Sequence, residues 1–101
     1  MALIELSVIP LGTETPSVSQ YVARAVEIVR EEKTVKYELT PMGTIIEGDL
    51  TQLLALVPKM HQAVFDAGAT RIVTMIKIDD RRDKTSSLNG KMESLRRELG
   101  H

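Results

Sequence analysis

Val35-Lys36-Tyr37-Glu38-Leu39-Thr40-Pro41-Met42-Gly43-Thr44-Ile45-Ile46-Glu47 is the stretch on which the fold turns. Val35 to Leu39 alternates apolar and polar residues with the period of two that a strand requires, and Thr44 to Glu47 resumes extended character. Between them Thr40-Pro41-Met42-Gly43 supplies turn chemistry, since proline presets one backbone angle and glycine accepts angles other residues avoid. The stretch reads as a hairpin, so two strands follow one another with no helix between them.

Upstream, Ala2 to Ile9 sets Ile4, Leu6 and Val8 against Glu5 and Ser7, a strand with one buried face, and Pro10-Leu11-Gly12-Thr13 ends it. Ser17-Val18-Ser19-Gln20 has the form of a capping box, and Val18, Tyr21, Val22, Ala25, Val26 and Val29 follow at helical spacing. Downstream, Asp49 with Gln52 three residues on opens a second helix, whose stripe of Leu50, Leu53, Leu54, Val57, Met60 and Val64 runs to Gly68. Pro58 removes one internal hydrogen bond there and predicts a kink, not two separate helices. Arg71 to Ile78 is a β-branched run with no plainly polar side.

The order strand, helix, strand, strand, helix, strand is the split βαβ pattern. It predicts an α+β, ferredoxin-like βαββαβ sandwich with two helices on one face of a four-stranded antiparallel sheet. A charged connector, residues 79–84, then leads to a C-terminal helix over 85–100, whose Leu88, Met92, Leu95 and Leu99 make a narrow stripe suited to one partner surface. Residues 1–101 form a single domain, with no repeat or low-complexity stretch. Two helices cover only one sheet face, so Leu3, Ile9, Val73 and Met75 on the other predict sheet-to-sheet dimerisation.

Composition narrows the function. The 101 residues are 43% hydrophobic and 27% charged, with a formal charge of -1, so no global positive field draws the chain to nucleic acid or to an anionic membrane. The absence of cysteine closes disulfide, thiolate and iron–sulfur chemistry and suits a reducing compartment. The N-terminus lacks a basic leader before an apolar stretch, and no apolar run approaches the roughly 20 residues of a membrane span, so a cytoplasmic protein is expected.

Candidate chemistry is sparse. His61 and His101 lack ligand spacing, so no metal site is expected. Asp79, Asp80 and Asp83 read as a salt-bridged connector, and Ser7, Ser17 and Ser19 have no histidine placed to activate them. The two expected central strands carry no aromatic residue on which RNA bases would stack. Small acyl-phosphate hydrolases of the same fold use a first-loop arginine and an asparagine, whereas this loop is Pro10-Leu11-Gly12-Thr13-Glu14 and the sole asparagine is Asn89. What remains is a set at turns and strand ends, Pro10, Gly12, Thr13, Thr44, Glu47, Gly48, Lys77, Asp79 and Arg81, which from composition alone reads first as ordinary turn chemistry.

Pro10-Leu11-Gly12-Thr13, Ser17-Val18-Ser19-Gln20-Tyr21-Val22-Ala23, Gly43-Thr44-Ile45-Ile46-Glu47-Gly48-Asp49 and Arg71 through Lys84, in that order, resemble the small thiamine-binding proteins of the ferredoxin-like class. The resemblance covers nearly the whole chain. It implies a cytoplasmic protein without catalytic turnover, binding thiamine or its hydroxymethylpyrimidine part as ligand and needing no cofactor, assembled as a homotetrameric dimer of dimers. Within the matching motifs the ligand-binding candidates are Thr13, Ser17, Thr44, Glu47, Asp79 and Arg81, with Tyr37 as the stacking candidate. An aminopyrimidine presents a donor beside ring-nitrogen acceptors, which a carboxylate such as Glu47 or Asp79 and a hydroxyl such as Thr44 match. Thr13 and Ser17 begin the first helix, where a phosphate-bearing ligand would be favoured with Arg81. The competing reading is a structural or regulatory homo-oligomer that binds another small molecule or anion or modulates a partner enzyme.

Overall fold

The computed structural model describes residues 1–12, 18–82 and 88–100, with residues 88–91 described by backbone only. The elements are β1 (Ala2–Pro10), α1 (Ser19–Glu31), β2 (Lys36–Thr40), β3 (Gly43–Gly48), α2 (Leu50–Asp66), β4 (Ile72–Asp80) and α3 (Leu88–Glu98). The strands form one antiparallel sheet in the order β2-β3-β1-β4, the ferredoxin-like arrangement that the hairpin at 35–47 dictates.

Alternation sorts the sheet into two faces. Ala2, Ile4 and Leu6 of β1 and Ile46 of β3 point to the helices and are buried with Tyr21, Ala25 and Val29 of α1 and Leu53, Leu56, Met60 and Val64 of α2. Each fully buried aliphatic side chain contributes about 1.5–3 kcal/mol. Asp49 caps α2, its carboxylate accepting the Gln52 backbone N–H at 3.4 Å, and the helix continues through exposed Pro58 as one element. His61 joins α2 to β4 through a bond between its Nδ1 and the Thr74 hydroxyl, and its ring meets Phe65 edge-on at 5.1 Å. This histidine is a packing residue that ties a helix to the sheet.

Three details depart from the sequence reading. The N-cap of α1 is Val18, whose carbonyl accepts from the N–H groups of Tyr21 and Val22 and whose side chain caps nothing. Ser17, expected to be that cap, lies with Thr13 outside the described residues. β4 extends through Asp79 and Asp80, which pair with Leu3 and Ala2, so these acidic residues belong to the sheet and not to the connector. The β1 ladder holds them extended against their low strand propensity. Leu3, expected to be open to a partner, is only 5% exposed, flanked across both neighbouring strands by Glu47 and Asp79. Ile9, Val73 and Met75 are exposed as expected. Of the C-terminal helix expected over 85–100, the described part is α3, and its Met92, Leu95 and Leu99 are exposed.

α1 ends at Glu32, whose carboxylate accepts from both the hydroxyl and the backbone N–H of Thr34, at 2.9 and 3.2 Å. Chiefly the hydroxyl bond, and then the backbone one, holds the Glu32 carboxyl below its ordinary value. A depressed carboxyl adds stability that is present above its unfolded pKa and disappears as pH falls through the folded one. Thr34→Val is therefore expected to move the Glu32 titration upward, as followed by NMR, and to weaken the local dependence of stability on acid. In the core, Leu53→Ala should lower the free energy of unfolding in urea by about 2–5 kcal/mol.

Candidate functional site

The two ladders of β1 end at different places. With β3 the pairing stops at Leu6–Thr44, whereas with β4 it continues to Pro10–Ile72, so one flank of Ser7 to Pro10 has no neighbouring strand. The β2–β3 turn folds into this missing corner. The Ser7 hydroxyl donates to the Met42 carbonyl at 2.7 Å, and the Thr40 hydroxyl donates to the Gly43 carbonyl while accepting from the N–H groups of Met42 and Gly43. Gly43 is needed at the crossing: a Cβ there would stand 2.8 Å from the Leu6 carbonyl oxygen and 2.9 Å from the Ser7 hydroxyl.

Between this corner and α1 lies a cleft of about 840 Å³. Six exposed apolar side chains from four segments line it: Ile9, Val18, Val22, Leu39, Met42 and Met75. Ser7, Ser19, Thr40 and Thr44 supply hydroxyls, Glu5 and Glu27 carboxylates, and Arg30 and Lys77 cations. Glu27 pairs with Arg24 one helical turn away, and Glu5 faces Lys77 at 3.8 Å across the β1–β4 ladder. Both pairs are at least a third exposed, and such ion pairs are weak enough for a ligand to exchange a partner at little cost. An apolar concavity with a few convergent polar groups is the usual form of a small-molecule site.

Of the nominated residues that are described, Thr44 lies apart from Glu47, Asp79, Arg81 and Tyr37. Thr44 lines the cleft and is 5% exposed. Glu47 and Asp79 sit on the opposite face of the sheet from the helices, on either side of Leu3, near the start of β1 and about 13 Å along the strand from Ser7. Arg81 follows β4 at that same end, in a polar depression shared with Asp49 and Asp80. Tyr37 pairs with Ile46 and packs against the core, on the helix side of the sheet.

The cleft residues missed from sequence had left a signal in α1. Its apolar stripe is two rows wide: Tyr21, Ala25 and Val29 are buried, while Val18, Val22 and Val26 form a parallel row at the same spacing that lines the cleft. One row suffices to hold a helix on a sheet, and the second row faces the cleft. Among the described residues no group of acidic or histidine side chains is placed to hold a metal ion, and no helix is long and apolar enough to cross a membrane.

Fold and cleft together define a small ferredoxin-like domain with a ligand-sized concavity between its first helix and the corner of its sheet. The chain belongs to the thiamine-binding protein family, whose model matches residues 4–96. It is 48% identical to the UPF0045 protein YqgV of Bacillus subtilis, over 98% of both chains. A UPF0045 protein of Methanothermobacter thermautotrophicus is 46% identical, over 98% of this chain and all of that one. The crystal structure of a Methanocaldococcus jannaschii protein, 36% identical, superposes with a TM-score of 0.85 over 93% of this chain and 94% of that one.

Because the turn must cross β1 at glycine distance, Gly43→Ala is expected to push the hairpin off the Leu6 carbonyl. The cost of such overpacking, about 1–3 kcal/mol, would be read in urea unfolding. The same variant should lose cleft binding out of proportion to its loss of stability.

Proposed function

We propose that this protein is a non-catalytic cytoplasmic carrier that binds thiamine or its hydroxymethylpyrimidine part in the cleft between α1 and the β2–β3 turn. The observation that carries the reading is the convergence of exposed apolar side chains from β1, α1, the hairpin and β4 on one concavity that also holds four hydroxyls and two carboxylates. The family's description as thiamine-binding supports the choice of ligand.

The chemistry matches in three respects. The flat pyrimidine finds apolar walls, with Met42 and Met75 supplying polarisable surface in place of aromatic rings. Its amino group and ring nitrogens find the Thr44, Thr40 and Ser7 hydroxyls. A thiazolium cation finds Glu27 or Glu5. Assembly as a dimer of dimers belongs to the same reading, and the exposed Ile9, Val73 and Met75 on the sheet face without helices favour it. A second reading, a regulator of another protein, draws on the exposed row Met92, Leu95 and Leu99 of α3.

Calorimetric titration with thiamine, hydroxymethylpyrimidine and thiamine phosphate tests the proposal. Saturable binding is expected, weakened about tenfold or more by Thr44→Val and by Glu27→Gln, each of which preserves side-chain shape. Glu47→Gln, at the far end of the sheet, should leave affinity unchanged. A loss with Glu47→Gln alone would move the site to the row Glu47–Leu3–Asp79, and silence toward all three compounds would favour the regulator.

A further inference from the structure

The cleft does not keep to one side of the sheet. Ile4 and Leu6 point to the helices, so Glu5, Ser7 and Ile9, which alternate with them, point away, and across the ladder Lys77 and Met75 share their side. Leu6 pairs with Thr44, and Thr44 with Leu39, so these three stand on the helix side, where α1 adds Val22 and Val26. Both groups line the same concavity, which passes from one face to the other round the bare flank of β1. The two sides offer different chemistry. On the helix side the walls are aliphatic, and the hydroxyl of buried Thr44 is used by none of the hydrogen bonds that tie the turn to β1. The carboxylate there, Glu27, is held by a direct hydrogen bond from Arg24. On the far side Ile9 and the Met75 thioether share the wall with Glu5, whose partner Lys77 stands off at 3.8 Å and is 79% exposed. An ammonium so placed is readily displaced by another cation.

We propose that Glu5, with Met75 and Ile9, anchors a subsite for an organic cation on the helix-free face, so that a two-part ligand straddles β1 with its neutral ring against Thr44 and its charged ring against Glu5. The proposal rests on the ligand reading above and sharpens it: Met75 serves the charged ring and not the pyrimidine. Thiamine has the required form, a pyrimidine and a thiazolium joined by one carbon at which the molecule bends. The bare flank of β1 is where such a hinge can pass, since along the rest of the strand a neighbour closes the sheet on each side. A thiazolium spreads its charge over a sulfur-containing ring, so it gains Coulomb attraction from a carboxylate and contact with a polarisable thioether. Glu5 is a better anchor than Glu27 because its present partner is held more loosely. Lys77 is then a competitor for Glu5 and not a group that binds the ligand.

That competition gives the test a sign that damage to the fold would not produce. In calorimetric titration Lys77→Gln should tighten thiamine about threefold by freeing Glu5, and Glu5→Gln should weaken it about fivefold. Neither should change the affinity for hydroxymethylpyrimidine, which lacks the charged ring. A direct reading comes from NMR of the unaltered sequence with isotope-labelled methionine. The Met75 methyl signal should shift on adding thiamine or an N-methylated hydroxyethylthiazolium and stay in place with the pyrimidine, with buried Met60 as the internal reference. Silence toward thiamine in both measurements would overturn the ligand reading and this subsite with it. Thiamine binding that Lys77→Gln fails to tighten, with the Met75 signal unmoved, would overturn the subsite and leave the ligand reading standing.

Discussion

The crossing of the β2–β3 turn over β1 is the constraint on which the rest depends. It brings a backbone position to within a methyl group's reach of the Leu6 carbonyl, which only glycine permits, and the Ser7–Met42 hydrogen bond fastens it there. That contact fixes where β3 begins, and so which of its residues face the helices. Thr44 and Ile46 turn inward and Ile45 and Glu47 outward because Gly43 stands where it does. The same contact ends the β1–β3 ladder early and opens the corner in which the cleft lies. Register, core and site share one cause.

The helix layer is the second determinant, through its narrowness. α1 and α2 seal the middle strands, leaving Ile4 and Ile46 almost wholly buried, but Ile76 and Ile78 of β4 on the same face remain open. A domain of this length has too little helix to cover four strands fully. Much of the exposed apolar surface lies along β4 and in the cleft, with a further row on α3 at Met92, Leu95 and Leu99.

The order of elements was legible from the sequence because alternation and helical spacing are local signals, and the hairpin at 35–47 left one topology to choose. The ends of elements were less so. Asp79 and Asp80 looked like a linker because strand propensity says nothing of a ladder partner, and the partner, Ala2 and Leu3, lies at the other end of the chain. The cleft was hidden for a similar reason. Met42 reads as a turn residue, Met75 as a strand residue and Val22 as helix core, and only the folded chain brings them together. Polarity at turns drew attention to Glu47, Asp79 and Arg81, whereas the concavity is mostly apolar and among those nominated positions described includes only Thr44.

The hairpin crossing also bears on how such a chain can diversify. Side chains alternate across a strand, so one residue inserted at Pro41–Met42 that shifted β3 by one register step would turn its buried residues outward and its charged ones inward. The length of that turn is therefore frozen, although it borders the cleft. Loops that border a binding site commonly evolve by changing length, and that route is shut here. Variation in what the cleft presents would then come from exchanging side chains that line it, among them the outer row of α1 at Val18, Val22 and Val26. The crossing thus fixes the backbone of the cleft's strand wall while leaving the side chains along it and along α1 open to exchange.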